Sequence, residues 1–310
     1  MSALQPHARQ QRGVAIVLAM AVVAMAVLAA TAILVAQSTW SRQLELSSGH
    51  AQAERLIQAG LDWSRAVLGD DRRLGEVDYL GEPWALQLPP MPVENGSLAG
   101  RIEDQQGKFN LNNLLRNGQL DIAQLARFRR LLAILDLPPA LADTLADWID
   151  ADRLTQPPSG AEDAYYLSLP SPYLAANAPL TDIAELALVR GYDDSVRARL
   201  RPFVTALPVA TAVNVNTASA EVIAASVDGL AIDAARAIVA KRERSYFRSL
   251  PDFFGHLPGG ASVAEQDISV SSNYFIASMT VSIEGATARG SALLVRGGVG
   301  WPAIVWRKQP

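Results

Sequence analysis

The sequence predicts an α+β protein. A long N-terminal helix, its first half spanning a membrane, packs on a small antiparallel sheet that is interrupted by a large all-α insertion. Three observations predict this layout. Val14 to Ala36 is apolar throughout apart from Thr31. Strand-like sequence occurs in two separate stretches, 80–104 and 273–306. The long stretch between them is rich in helical patterns and loops.

The apolar run comes first. As a helix it would be ~35 Å long, enough to cross a ~30 Å hydrocarbon core. It lacks the polar face of a helix buried in a soluble domain. The leader before it carries Arg9 and Arg12 and no acid. That charge favours a cytoplasmic N-terminus with the rest of the chain translocated. Gly13 lies between the basic leader and the apolar run. In a secretory signal the small residues instead follow the apolar core.

Beyond the membrane the helical spacing continues through Trp40, Leu44, Ala53, Leu56, Ile57, Leu61, Val67 and Leu68. Gly69 with Asp70 and Asp71 reads as its stop. One helix from Val14 to Leu68 would be ~80 Å long, with Gly49 and Gly60 as its weak points. Trp84 to Leu88 reads as a short strand ended by Pro89, Pro90 and Pro92. Asn95-Gly96 signals a type I′ turn, and Ser97 to Glu103 alternates as the returning strand.

From Asn110 to about Asp267 the predicted helices are 119–135, 138–150, 181–189, 193–204, 218–227, 231–243 and 249–256. This stretch contains a weak internal repeat. Phe109-Asn110-Leu111-Asn112 is echoed by Val213-Asn214-Val215-Asn216, each followed by helices, which reads as two related helical units. Strand chemistry then resumes: Phe275, Ala277, Met279, Val281 and Ile283 alternate with mostly polar partners. Glu284-Gly285 turns the chain, Ala292 to Val295 answers, and Ala303 to Trp306 forms a last edge strand.

Composition excludes several classes. There is no cysteine, so disulfides, thiolate catalysis and Cys-ligated zinc are absent. The net charge is −4; without Arg9 and Arg12, 25 basic residues remain against 31 acidic, or −6. That balance argues against nucleic acid or anionic lipid as the main partner. No nucleophile elbow or P-loop is present, and His7, His50 and His256 fall in separate regions, so no catalytic residues are assigned.

The glycine before the apolar run resembles a type IV prepilin leader, cut after the glycine by a dedicated prepilin peptidase. That resemblance places the mature N-terminus at Val14, with methylation there. The usual glutamate at the fifth mature position is replaced by Leu18. The large minor pseudopilin, protein K of type II secretion systems, lacks that glutamate. The resemblance extends through FNLNNL at 109–114, ADWIDAD at 146–152, GAEDAYY at 160–166 and PYLAANAPLTDIAEL at 172–186, and so covers nearly the full chain.

The resemblance implies a pilin-like fold and a non-enzymatic subunit in the bacterial inner membrane, single-pass, with its C-terminal part periplasmic. It implies a place at the tip of the pseudopilus, where the subunit helps initiate assembly. Leu18 marks that position. The implied partners are two other minor pseudopilins in a ternary complex, prepilin peptidase and the inner membrane, with secreted substrates as a further candidate. The expected organisation is a leader at 1–13, a transmembrane half-helix at 14–36 and a periplasmic helix with the first strands at 37–108. A helical insertion at 109–267 and the remaining strands at 268–310 complete it.

Two constellations remain. Asp147, Asp150 and Asp152 close a predicted helix, a Pro-Pro-Ser-Gly loop follows, and then come Glu162 and Asp163. Asp147 and Asp150 share a helix face at i, i+3. Carboxylates around such a loop suit a hard cation such as calcium, which takes six to eight oxygens; the bland alternative is acids capping helix ends. The family's calcium binding in this region favours calcium. The second constellation, VNVNTASAEVIAA at 213–225 followed by SYFRSLPDFF at 245–254, resembles the helix-hairpin-helix units of DNA receptors. The rival function is therefore a membrane-tethered DNA-binding receptor. Its hairpin, Val227 to Ala231, has one glycine and an acid, and Glu243 interrupts the positive charge of Lys241, Arg242 and Arg244. No nucleic-acid partner is expected.

Overall fold

A computed structural model describes residues 10–309 except 284–285 and 298–299, with side chains at 10–12 and 44–46 left out. The first nine residues of the leader and the Glu284-Gly285 turn therefore lie outside the described residues.

Helix α1 runs unbroken from Gln10 to Leu74, ~100 Å at ~1.5 Å per residue. It passes through Gly49 and Gly60 without a break and ends six residues beyond the expected Leu68. Gly69 is not the stop. It lies inside the helix, where an added Cβ would meet Trp301 at 3.5 Å. Arg72 and Arg73 in the last turn suit the negative end of the helix dipole. From Gly13 to Gln43 every described side chain is exposed, and this half is long and apolar enough to cross a membrane. In the second half Ala53, Ile57, Leu61 and Leu68 are buried at three- to four-residue spacings, with Ser64 filling the same stripe.

That stripe packs on a five-stranded antiparallel sheet of β1 (Leu88–Val93), β2 (Gly96–Asp104), β3 (Tyr274–Ile283), β4 (Ala286–Val295) and β5 (Ala303–Lys308), hydrogen-bonded in that order. On β3, Phe275, Ala277, Met279, Val281 and Ile283 are all buried, as their alternation predicts. Trp84 packs edge-on against Phe275, ring centroids 5.1 Å apart.

Two local expectations fail. Pro83–Ala85 is a 3-10 turn, and the strand starts at Leu88 and runs through the three prolines. It can do so because β1 is an edge, where one side of the strand needs no N–H donors. Nor is Asn95-Gly96 a type I′ turn. Only Asn95 has positive φ, +61°, and Gly96 already pairs with Val93 and Ile283. A Cβ at Gly96 would lie 1.9 Å from the Ser282 carbonyl oxygen, so close approach of two strands requires the glycine.

Between β2 and β3 the chain forms two helical cores. The first contains α2 (Ile122–Ile134), α3 (Ala140–Ile149), the short α4 (Asp163–Tyr166) and α5 (Asp194–Leu200). The second contains α6 (Ala220–Ser226), α7 (Ile232–Arg242) and α8 (Leu250–Phe254). The segment predicted as a helix at 181–189 is a 3-10 helix, Ile183–Leu188, opened by an Asp182/Glu185 capping box.

The internal repeat is structural. Phe109-Asn110 pairs in parallel with Val204-Thr205, and Val213-Asn214 with Ile268-Ser269. Asn112 accepts from Leu180 N–H at 2.8 Å and donates to the Leu180 carbonyl at 2.9 Å. Asn216 does the same to Phe247, at 2.8 and 2.9 Å. Each asparagine thus imitates one rung of a β-ladder. Asn110 and Asn214 in turn accept from the backbone N–H two residues on.

Candidate functional site

One node fastens the insertion to the sheet. Arg296, just past β4 and buried, pairs with Asp71 on α1 at 2.8 Å and with Asp78, and donates to the Ser272 carbonyl at 2.6 Å. Asp104, at the end of β2, accepts from Gln106 N–H and the Ser272 hydroxyl at 2.7 Å each, from Thr217 at 2.5 Å and from Asn214 at 3.2 Å. Oxygens of Asp71, Asp78 and Glu82 lie within 4.8 Å of one another, but the Arg296 guanidinium already pairs with two of these acids. A buried charge cluster of this kind is held by its pairing and hydrogen bonds. This node is structural.

The acidic loop after α3 is different. Asp150 is not on the helix face predicted for it. It is the C-cap, with extended backbone at ψ 164°. That conformation turns it toward Asp152 and Glu162, and the three carboxylates offer oxygens within 4.8 Å of one another. Among the described residues, both Glu162 oxygens and Asp150 Oδ1 are buried with no hydrogen-bond partner. Glu162 stands at the N-cap of α4 without capping it, so capping does not account for its carboxylate. Burial, then the neighbouring carboxylates, pushes the Glu162 acid up to about 7; burial first also pushes Asp150 up to about 6.

The other two predicted acids do other work. Asp147, fully buried and raised to about 6 mainly by burial, accepts from Gln156 N–H at 3.0 Å and so ties the loop to α3. The loop crosses it so closely that a Cβ on Gly160 would lie 2.1 Å from Asp147 Oδ2. Asp163 accepts from Ala175 N–H at 3.1 Å and faces Arg153. The Asn177 amide oxygen is also buried without a partner among the described residues, while Asn177 N–H donates to the Trp148 carbonyl near the end of α3. Nothing in the spacing of Asn177 marks it; only its place in the fold does. Oxygen-only donors, several of them unsatisfied, fit a hard divalent cation better than zinc or copper.

The hairpin of the second helical unit is closed from within. Arg130 on α2 pairs with Asp228 at 2.5 Å and donates to the Ala225 and Val227 carbonyls. Arg242 is buried and donates to the Val215 carbonyl at 2.7 Å. Arg130 and Arg242 thus serve the fold, while Lys241 and Arg244 stay exposed at the end of α7 beside Glu243.

At the other end of the molecule, Gly13 has nothing within 4 Å of the space a Cβ would fill, and Leu18 is 60% exposed on the bare half of α1.

The sequence matches two models of type II secretion system protein K, over residues 107–209 and 213–271. The type II secretion system protein K of Pseudomonas aeruginosa is 37% identical over 289 residues, 89% of this chain and 86% of that protein. The chain belongs to the protein K family of type II secretion systems. The family's protein from Aeromonas hydrophila is 30% identical over 94% of this chain and 95% of its own length. A chain in the crystal structure of the GspK–GspI–GspJ complex, from the type 2 secretion system of enterotoxigenic Escherichia coli, superposes with a TM-score of 0.77. That chain is 26% identical, with 86% of this chain and 99% of that one covered. The protein K family is part of secretion machinery, and its pilin-like α+β fold with a helical insertion is the fold found here.

Proposed function

We propose that this protein is the minor pseudopilin at the tip of a type II secretion pseudopilus and helps initiate its assembly. In this reading prepilin peptidase removes residues 1–13, and Val14 becomes the methylated N-terminus. The apolar half of α1 holds the subunit in the inner membrane with its N-terminus cytoplasmic and its globular part periplasmic, and two other minor pseudopilins join it in a ternary complex. The observation that carries the reading is the likeness to a chain of the GspK–GspI–GspJ complex, together with an α1 whose described side chains from Gly13 to Gln43 are all exposed. Exposed Gly13 suits access by a peptidase, and an apolar Leu18 suits a subunit with none above it.

Calcium belongs to the same proposal. Asp150, Asp152 and Glu162 would hold it, and the ion would bridge α3 to the start of α4. It supplies charge neutralisation for buried acids, not chemistry on a substrate.

Mass spectrometry of the protein from cells with an active prepilin peptidase tests the processing. Co-purification with its two companion pseudopilins tests the complex. The expected results are a methylated N-terminus at Val14 and a three-component assembly. Intact Met1, or a chain that never joins the other two, would overturn the reading.

A further inference from the structure

The outer face of the sheet, away from α1, is partly roofed by the first helical unit, which leaves a cleft of about 550 Å³. Its floor includes one cross-strand row, Arg101–Ser278–Ser291–Lys308, over four neighbouring strands. Four strands ~4.8 Å apart span ~14 Å, the length of about four extended residues. The row ends on β5, the edge of the sheet, so the cleft opens sideways to solvent.

Its charge runs against that of the molecule. The chain is net −4, but the cleft is lined by the cations Arg101, Lys108, Arg201 and Lys308 and only two acids, Glu103 and Asp182. Arg101 pairs with Glu103 at 3.3 Å, and Lys308 pairs with Asp182. Among the described residues, Lys108 and Arg201 have no carboxylate within ion-pair distance. The one side-chain hydrogen bond of the Lys108 ammonium among the described residues is a long one, 3.5 Å to the Gln105 amide oxygen. Burial, the largest influence on it, holds Lys108 below its ordinary pKa, so an arriving anion would restore lost charge stabilisation.

We propose that this cleft takes a short, extended, acidic segment of another protein. Two carboxylates of that segment pair with Lys108 and Arg201, and the Ser278 and Ser291 hydroxyls meet its backbone. The site is separate from the N-terminal helix and the acidic loop, and it does not depend on the tip assignment. A polyanion such as DNA is a poor fit, because the slot is short, partly roofed and flanked by Glu103 and Asp182.

Calorimetric titration of the full-length chain in detergent tests this with an acetylated, amidated hexapeptide of alternating glutamate and alanine. The control peptide carries glutamine in place of glutamate. The glutamate peptide should bind with a Kd below ~1 mM at low salt, weaken as salt rises, and lose at least ~10-fold in affinity in the Lys108→Glu/Arg201→Glu double variant. The milder Lys108→Gln/Arg201→Gln pair should lose affinity with an unchanged melting curve, which separates lost binding from lost folding. No binding by the wild type, equal binding of the glutamine peptide, or full affinity in the glutamine variants would overturn the proposal.

Discussion

Met279 of β3 sits directly beneath Gly60 of α1. A Cβ on Gly60 would come within 2.7 Å of the Met279 sulfur. In the sheet Met279 is flanked by Gly100 and Gly290 on the neighbouring strands, and a Cβ on Gly290 would strike Ile57 at 2.4 Å. Three glycines thus make the slot that lets the helix lie down on the sheet. Gly60 costs helix propensity, but close packing recovers it. Gly60→Leu should lower stability by ~1–3 kcal/mol through overpacking, and Met279→Ala by ~2–5 kcal/mol through the cavity it leaves. Denaturant unfolding of the detergent-solubilised chain measures both. A silent Gly60→Leu would show that helix and sheet are less tightly seated.

Arg296 holds the corner where α1, β2, β4 and the end of the insertion meet. Replacing it with Leu leaves Asp71 and Asp78 buried without their cation. The expected loss is ~3–5 kcal/mol, the usual cost of breaking a buried pair from one side. The insertion should also become more open to proteolysis near residues 270–274. Limited proteolysis with mass mapping reads this directly, and an unchanged digest would show that the node is dispensable.

Much of this fold is written locally. The alternation on β3, the apolar run of α1 and the paired Asn-x-Asn motifs each show in a few consecutive residues, because period-two and helical patterns are local properties. The Arg296 node is not legible in that way. Its partners lie 218 and 225 residues away in the chain, and no spacing rule joins them. The acidic loop was legible as a cluster, but its sorting was not. Whether Asp147 ties down a loop or binds an ion depends on where Gln156 N–H and Gly160 fall. The prolines of β1 misled because only the topology shows that strand to be an edge.

Glu82 gives a pH dependence. It accepts from Tyr79 N–H at 2.9 Å and from the Trp84 indole at 2.7 Å, yet burial above all pushes its acid up to about 7 from 4.5. A carboxyl raised on folding favours the fold while protonated. Its contribution is complete below about 4.5 and is lost as pH climbs through about 7. Glu82→Gln keeps an acceptor for the indole and removes the charge. It should match the wild type in acid and melt higher than the wild type in mild alkali. Thermal melts on both sides of neutrality check this; a variant less stable in alkali would mean that the charge itself is favourable.

Calcium at Asp150, Asp152 and Glu162 should appear as stabilisation. A ligand present at ~100 times its Kd and bound only by the folded state adds ~2.7 kcal/mol, or roughly 5–10 °C for a domain of this size. Glu162→Ala should abolish most of that gain. Asp163→Ala should retain it, because Asp163 faces the Ala175 N–H and Arg153 rather than the cluster. Asp147→Ala should lower the melting temperature even in chelator, because the loop loses its tie at Gln156. An identical melt in calcium and in excess chelator would remove the ion from the proposal.

Leu18 carries the test of position. By resemblance to pilin-like filaments, the carboxylate usual at the fifth mature position neutralises the free amine of the neighbour above. An unpaired charge in an apolar bundle is costly, so this pairing guides each subunit into register. A subunit at the top has no neighbour above, and an apolar Leu18, 60% exposed on the bare helix, costs it nothing. In the proposed arrangement its own Val14 amine would still be met from below. The insertion argues the same way, since the bulk of two helical cores would obstruct a subunit stacked over it but is harmless at an end. Leu18→Glu should leave folding and cleavage intact and give no better assembly, while admitting the protein at internal positions. Crosslinks from residues near Val14 should reach lower neighbours only. Recovery of the wild-type protein at regular intervals along purified filaments would refute the tip assignment.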